Sequence, residues 1–202
     1  MSLPTAIKTS LCMAALLLAG CSSGPVAPAW QLDAKDAMDR ANAAYLEGDS
    51  RVASAEMARV RKLISGTGRV DLLATAELAH CAARAASLVW EPCSGFEALR
   101  PDATATQIAY ADYLQGQGAA PAKPNLEDPL SRLLLAAVTL QKGQATPSTI
   151  TEAIDTASAQ GWRRPLLAWL GVQALRAEQA GDAVEAQRVR RRMALVEGHT
   201  AP

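Results

Sequence analysis

Aromatic side chains make up only 4% of this 202-residue chain, with a single phenylalanine. Histidine occurs twice, and neither sign of charge prevails, with 20 Lys and Arg against 20 Asp and Glu. Each scarcity excludes something. Strands draw on β-branched and aromatic residues, and runs of these are almost absent, so a sheet-built core is not expected. His80 and His199 stand too far apart for zinc-ligand spacing, which leaves a zinc hydrolase without its ligands. Balanced charge supplies no basic surface of the kind that nucleic acid binding needs, so nucleic acid is not an expected partner. Alanine fills the chain instead. It is the best helix former and carries the smallest side chain beyond glycine, which favours helices packed closely on helices.

The N-terminal stretch MSLPTAIKTSLCMAALLLAGC carries one cation, Lys8, and no acid. Its apolar run from Leu11 to Ala19 spans about nine residues, against the roughly 20 that a bilayer-spanning helix takes. A short apolar segment with a basic flank and small residues at its end is a secretion signal. The last four residues, Leu18-Ala19-Gly20-Cys21, resemble the lipoprotein box of bacteria. That resemblance implies a signal peptide over 1–20, cut on the N-terminal side of Cys21. It also implies a diacylglycerol thioether on the Cys21 sulfur and acylation of the freed amine. Two or three acyl chains anchor stably where one does not. Ser22, in place of an Asp, resembles outer-membrane sorting, so the expected location is the outer membrane, facing the periplasm. Residues 21–32, rich in Ser, Pro, Gly and Ala, read as a lipid-anchored flexible tether.

Cys12 leaves with the signal and Cys21 takes lipid, so Cys81 and Cys93 remain for an oxidising compartment. An unbroken helix from 81 to 90 would climb ~13 Å, whereas bridged Cα atoms lie within about 7 Å. A disulfide therefore requires the chain to turn back between Ser87 and Pro92, which the Glu91-Pro92 pair allows. The alternative is two inert, reduced thiols.

Apolar and small residues recur at three-four spacing in segments that each stop at a glycine. DAKDAMDRANAAYLE stops at Gly48 and SRVASAEMARVRKLIS at Gly66. DPLSRLLLAAVTLQK stops at Gly143 and PSTITEAIDTASAQ at Gly161. PLLAWLGVQALRAEQA and DAVEAQRVRRRMALVE stop at Gly181 and Gly198. Asp33, Ser50, Asp128 and Asp182 are of the N-cap type, and a glycine just past a helix fits a left-handed cap. Between them, VDLLATAELAHCAARAASLVW, SGFEAL and ATQIAYADYLQ form an irregular middle, and 116–127 is a Gly-Pro-Ala loop that marks a pause.

Taken in pairs these segments repeat over 33–66, 128–161 and 162–198. Ala41, Ala136 and Ala174 stand seven residues before the interhelix glycines, with Ala53 and Ala186 shortly after two of them. Helix hairpins at this period, with small residues where the two helices touch, resemble tetratricopeptide repeats. The fold expected is all-α, an antiparallel helix-hairpin array of about nine helices over 33–198, followed by a frayed tail at 199–202. In such arrays the first helices line a concave groove. The resemblance carries partner contacts onto Met38, Asn42 and Tyr45, onto Leu133, Ala137 and Leu140, and onto Leu175 and Glu178.

Catalytic motifs are scarce. GQGAAPAK lacks the spacing of a phosphate loop, no G-x-S-x-G elbow occurs, and Cys93 in CSG is better read as a disulfide partner than a nucleophile. Glu127 and Asp128 stand beside Pro129, where they cap a helix. Arg188 to Arg192 read as a solvated face, and Trp162 and Trp169, seven apart on one helix face, as core between the last two units. No enzymatic activity, cofactor or metal is expected. The function expected is a lipid-anchored scaffold that binds an unidentified periplasmic or outer-membrane protein; the alternative is a protein that binds or modifies the cell wall.

Overall fold

The structure is a computed structural model and describes residues 27–120 and 122–198. The signal peptide, Cys21 and the 199–202 tail lie outside the described residues. Among those that are described, all regular structure is helical, with nine α-helices, a short 3-10 turn at Arg100–Asp102 and no strand. The helices are α1 (Ala29–Glu47), α2 (Ser50–Ser65), α3 (Val70–Ala86), α4 (Ser94–Glu97) and α5 (Ala105–Leu114). α6 (Pro129–Gln141), α7 (Pro147–Ala159), α8 (Arg163–Gln179) and α9 (Ala183–Val196) complete the array.

Local chemistry explains most of the boundaries. The side chains of Asp49, Asp128 and Asp182 accept from the backbone N–H of Val52, Ser131 and Glu185 and so cap α2, α6 and α9. The N-cap of α2 is thus Asp49 and not Ser50, because the aspartate one residue earlier reaches the exposed N–H first. α1 opens at Ala29 behind Pro28, not at Asp33, so the last residues assigned to the tether are helical. Gly66 also departs from expectation. It stays right-handed at φ −61°, and the left-handed residue is Gly68 at φ 67°.

α3 ends where the disulfide requires it to end. Ser87 is its C-cap, Leu88 takes φ 61°, and the chain doubles back to Cys93. Cys81 and Cys93 are joined, with Cα atoms 5.9 Å apart.

Helices α1 and α2 pair, as do α6 with α7, α7 with α8, and α8 with α9. α3 lies in the middle, packed on α1, α2, α5 and α6. The small positions behave as close contacts: Ala41, Ala53, Ala136, Ala174 and Ala186 are all buried. The loop before α6 does not divide the core at that point. Leu134 and Val138 of α6 share one core with Phe96, Ala111 and Tyr113. The array also bends back on itself, because α1 touches α8. Trp169 of α8 is fully buried, and its indole N–H donates to the Ala86 carbonyl at the end of α3. Trp162 does not share its helix; it is the N-cap residue of α8, partly buried where two cores meet.

Candidate functional site: a polar cleft beside the disulfide

The return of α8 onto α1 closes a cleft of about 450 Å³. α3 supplies its floor, with Glu77, His80, Cys81 and Arg84. α2 brings Ser50, Ser54 and Arg61, and the end of α1 brings Tyr45. The doubled-back segment adds Val89, Glu91, Ser94 and Gly95, and the first turn of α8 adds Arg164.

Glu77 is almost wholly buried, at 4% exposed. Its carboxylate takes a two-point contact from Arg61, with Nη2 to Oε2 at 2.9 Å. A buried carboxylate demands such a partner, since an unpaired charge away from water is strongly destabilising. Gly95 faces it so closely that a Cβ there would collide with the Glu77 carboxylate, which makes glycine a packing requirement at that position. Arg84 donates to Glu91 at 2.6 Å. Arg164 donates through Nε to the Tyr45 carbonyl at 2.6 Å and through Nη2 to Ser50 Oγ at 2.7 Å. Its guanidinium carbon also stands 4.3 Å from the Tyr45 ring centroid, a cation–π contact.

His80 meets the same Tyr45 ring edge-on at 5.3 Å. Burial, and after it the positive charge of Arg84, hold the imidazole below its ordinary pKa of 6.5. His80 Nδ1 is buried without a hydrogen-bond partner among the described residues. Burial likewise pushes the Tyr45 phenol up, against the opposing pull of Arg164 and Arg84.

Eight residues are expected at a partner surface, and the structure disperses them. Tyr45 lines the cleft. Met38 borders a separate apolar groove with Trp30 and Leu72, and Asn42 is half-buried, its side-chain oxygen without a partner among the described residues. Leu133, with its neighbour Ala137, is fully buried and offers no surface, because α7 and α8 cover that face of α6. Leu140 is half-buried against the same core. Leu175 is exposed, and Glu178 pairs on the surface with Arg190. α1, α6 and α8 therefore do not present these side chains to a common groove.

The polar residues of the floor do carry a signal in the sequence. Glu77, His80 and Arg84 follow one another at steps of three and four, which puts them on one face of a helix. On a helix built mostly of alanine and leucine, that stripe marks a face that is not simply core. Arg164 has no such signal, since only the fold carries it to Tyr45. Among the described residues no group of His, Cys, Asp and Glu is placed to hold a metal ion. No helix among them is long and apolar enough to cross a membrane. No protein-family model, no curated protein and no solved structure matches the chain.

Proposed function

We propose that the protein is a lipid-anchored helical scaffold of the outer membrane that docks another envelope protein in the cleft between α1, α3 and α8. The observation that carries this reading is the cleft itself, a concave site with several hydrogen-bonding side chains on a rigid helical frame. Its charged groups suit binding better than catalysis. Glu77 is committed to Arg61, so it is not available as a general base. The arginines keep their charge at any working pH, which suits them to hold an anionic group. The anchor half of the proposal rests on the box that ends at Cys21, and the docking half on the cleft.

Site-specific photocrosslinking tests the docking half. A crosslinking residue at Ser54, exposed at the cleft, is expected to capture an envelope protein in cells, and one at Arg191 on α9 is expected to capture none. Equal capture at both sites would remove the cleft as the docking site. Capture of peptidoglycan fragments at Ser54 would move the reading to cell-wall binding. Fractionation tests the anchor half: Cys21→Ala should leave uncut precursor at the inner membrane, and normal outer-membrane fractionation of that variant would overturn it.

A further inference from the structure

Three arginines stand on the cleft, and they are not equally engaged. Arg61 is matched by the buried Glu77. Arg84 is held by Glu91, and the two members of that pair differ sharply in exposure, 19% for the arginine side chain against 76% for the glutamate. Arg164 has no carboxylate partner among the described residues and uses a carbonyl, a hydroxyl and an aromatic face instead. A guanidinium as covered as Arg84 needs an anion beside it. A carboxylate as exposed as Glu91 can leave without any desolvation cost. Arg84 and Arg164 also share a neighbour, since Arg164 lies over the Tyr45 ring and both arginines line the cleft with Tyr45.

We infer that the cleft binds the carboxylate of a small aliphatic ligand, which takes the place of Glu91 on Arg84 and is shared with Arg164. With Glu91 swung into solvent, Arg61, Arg84 and Arg164 face Glu77 alone, and one monoanion restores the charge that the closed cleft already holds. Guanidinium groups match the planar carboxylate in particular. The disulfide fixes the backbone of the segment that bears Glu91, so the exchange needs a side-chain rotation only. Val89 gives the remaining wall a small apolar surface, which suits the short side chain of a peptide's C-terminal residue. A volume of about 450 Å³ lies within the usual range for small-ligand sites. The inference rests on the docking reading for the source of the ligand, a partner's C-terminus, and not for its chemistry.

The test is a titration of the ¹⁵N-labelled full chain, followed at the arginine side-chain Nε–H signals. The probes are acetyl-Ala-Ala, its C-terminal amide, succinate and inorganic phosphate. The peptide acid is expected to shift the Arg84 and Arg164 signals saturably, and the amide to shift neither. Glu91→Gln removes the internal competitor and should tighten binding by roughly two- to fivefold, the worth of one exposed ion pair. Arg84→Gln should weaken it by about tenfold or more, and Arg190→Gln, on α9, should change nothing. Equal response to acid and amide, phosphate binding more tightly than the acid, or no gain from Glu91→Gln would overturn the inference. Glu91 is exposed, so that last readout survives even if Arg84→Gln does not fold. Succinate binding more tightly than the peptide acid would overturn the peptide end as the ligand body. Partner capture at Ser54 without carboxylate binding would sink this inference alone. Carboxylate binding without partner capture would sink the docking reading alone.

Discussion

The hairpins α1–α2 and α8–α9 are built on one local plan and end in different surroundings. Both turn on Gly-Asp, Gly48-Asp49 and Gly181-Asp182, with each glycine at positive φ, 98° and 75°. In both, the aspartate side chain caps the second helix, and a buried alanine lies on either side, Ala41 with Ala53 and Ala174 with Ala186. Around Gly181 there is open space, but a Cβ at Gly48 would lie 3.2 Å from Arg163 Nη2. The first turn of α8 rests on the first hairpin, and nothing described rests on the turn of the last. A turn that is only a turn in one place is the rim of a cleft in the other. The difference resides in what packs against the motif and not in the motif.

The largest effect should come from the residue that seats α8. Trp169→Ala empties a fully buried site and leaves the Ala86 carbonyl unpaired, and is expected to cost about 3–5 kcal/mol. Chemical denaturation measures the loss. Because α8 carries Arg164, the variant should also lose the two Arg164 hydrogen bonds around Tyr45, while the α8–α9 turn keeps its own cap. A cost below about 1 kcal/mol would mean that α8 is not seated as described.

Next in size is overpacking at the matched alanines. Ala41→Leu and Ala174→Leu should each cost about 1–3 kcal/mol, with Ala41 the worse because it is fully buried and Ala174 slightly exposed. In an open repeat stack the damage would stay with neighbouring units. Here α8 touches α1, so hydrogen exchange on Ala174→Leu should loosen α7–α9 and also the Tyr45 end of α1. Unchanged protection there would return the array to an open stack.

These variants also show how much of the molecule is legible in its sequence. Helix identity is open to reading because it is encoded locally, by Asp49, Asp128 and Asp182 as caps and by apolar spacing in between. The turn after Ala86 is legible too, since a bridge between Cys81 and Cys93 cannot form along a straight helix. The closure of the array is not. It depends on Trp169 finding Ala86 and Arg164 finding Tyr45, 119 residues away, and no periodicity reports such a contact. The groove residues fail for the same reason, because Leu133 follows the helix pattern of a repeat and the burial of its face is decided by α7 and α8. Gly66 shows the limit of a local rule. The glycine stop is correct, but Gly68 supplies the left-handed geometry.

A smaller and sharper test compares the caps directly. Asp49→Ala and Asp182→Ala each remove one side-chain acceptor and should each cost about 1 kcal/mol. The two melting temperatures should fall alike, since both caps are exposed and local. A markedly larger loss for Asp49→Ala would show that the cleft stabilises its own rim.

The smallest effect should be a pH dependence confined to the cleft. Burial holds His80 below 6.5 in the folded chain, so around and just below that pH the unfolded chain binds more protons than the folded one. Stability should therefore fall as pH drops from 6.5 toward the depressed folded value, and be complete above 6.5. Comparing the melting temperatures of the protein and His80→Gln from about pH 7 to about pH 5 isolates this contribution, which the variant should lack. A slope that is identical in the two would place the titration elsewhere.

The contact between Arg164 and Tyr45 also sets an order of events during biogenesis. The polypeptide emerges from its N-terminus, so α1, α2 and α3 with both disulfide cysteines are delivered long before α8 follows. Pairings of such long sequence separation are also the slow ones. For that interval the chain can hold its first hairpin and its oxidised loop, but the cleft lacks the wall that Arg164 supplies. A fragment that stops at Gly161 should accordingly be helical and bridged yet show no saturable shift with acetyl-Ala-Ala. Under the docking proposal, completion of the polypeptide would then act as the licence for engagement, and a nascent or truncated copy would not occupy the partner proposed for a finished one.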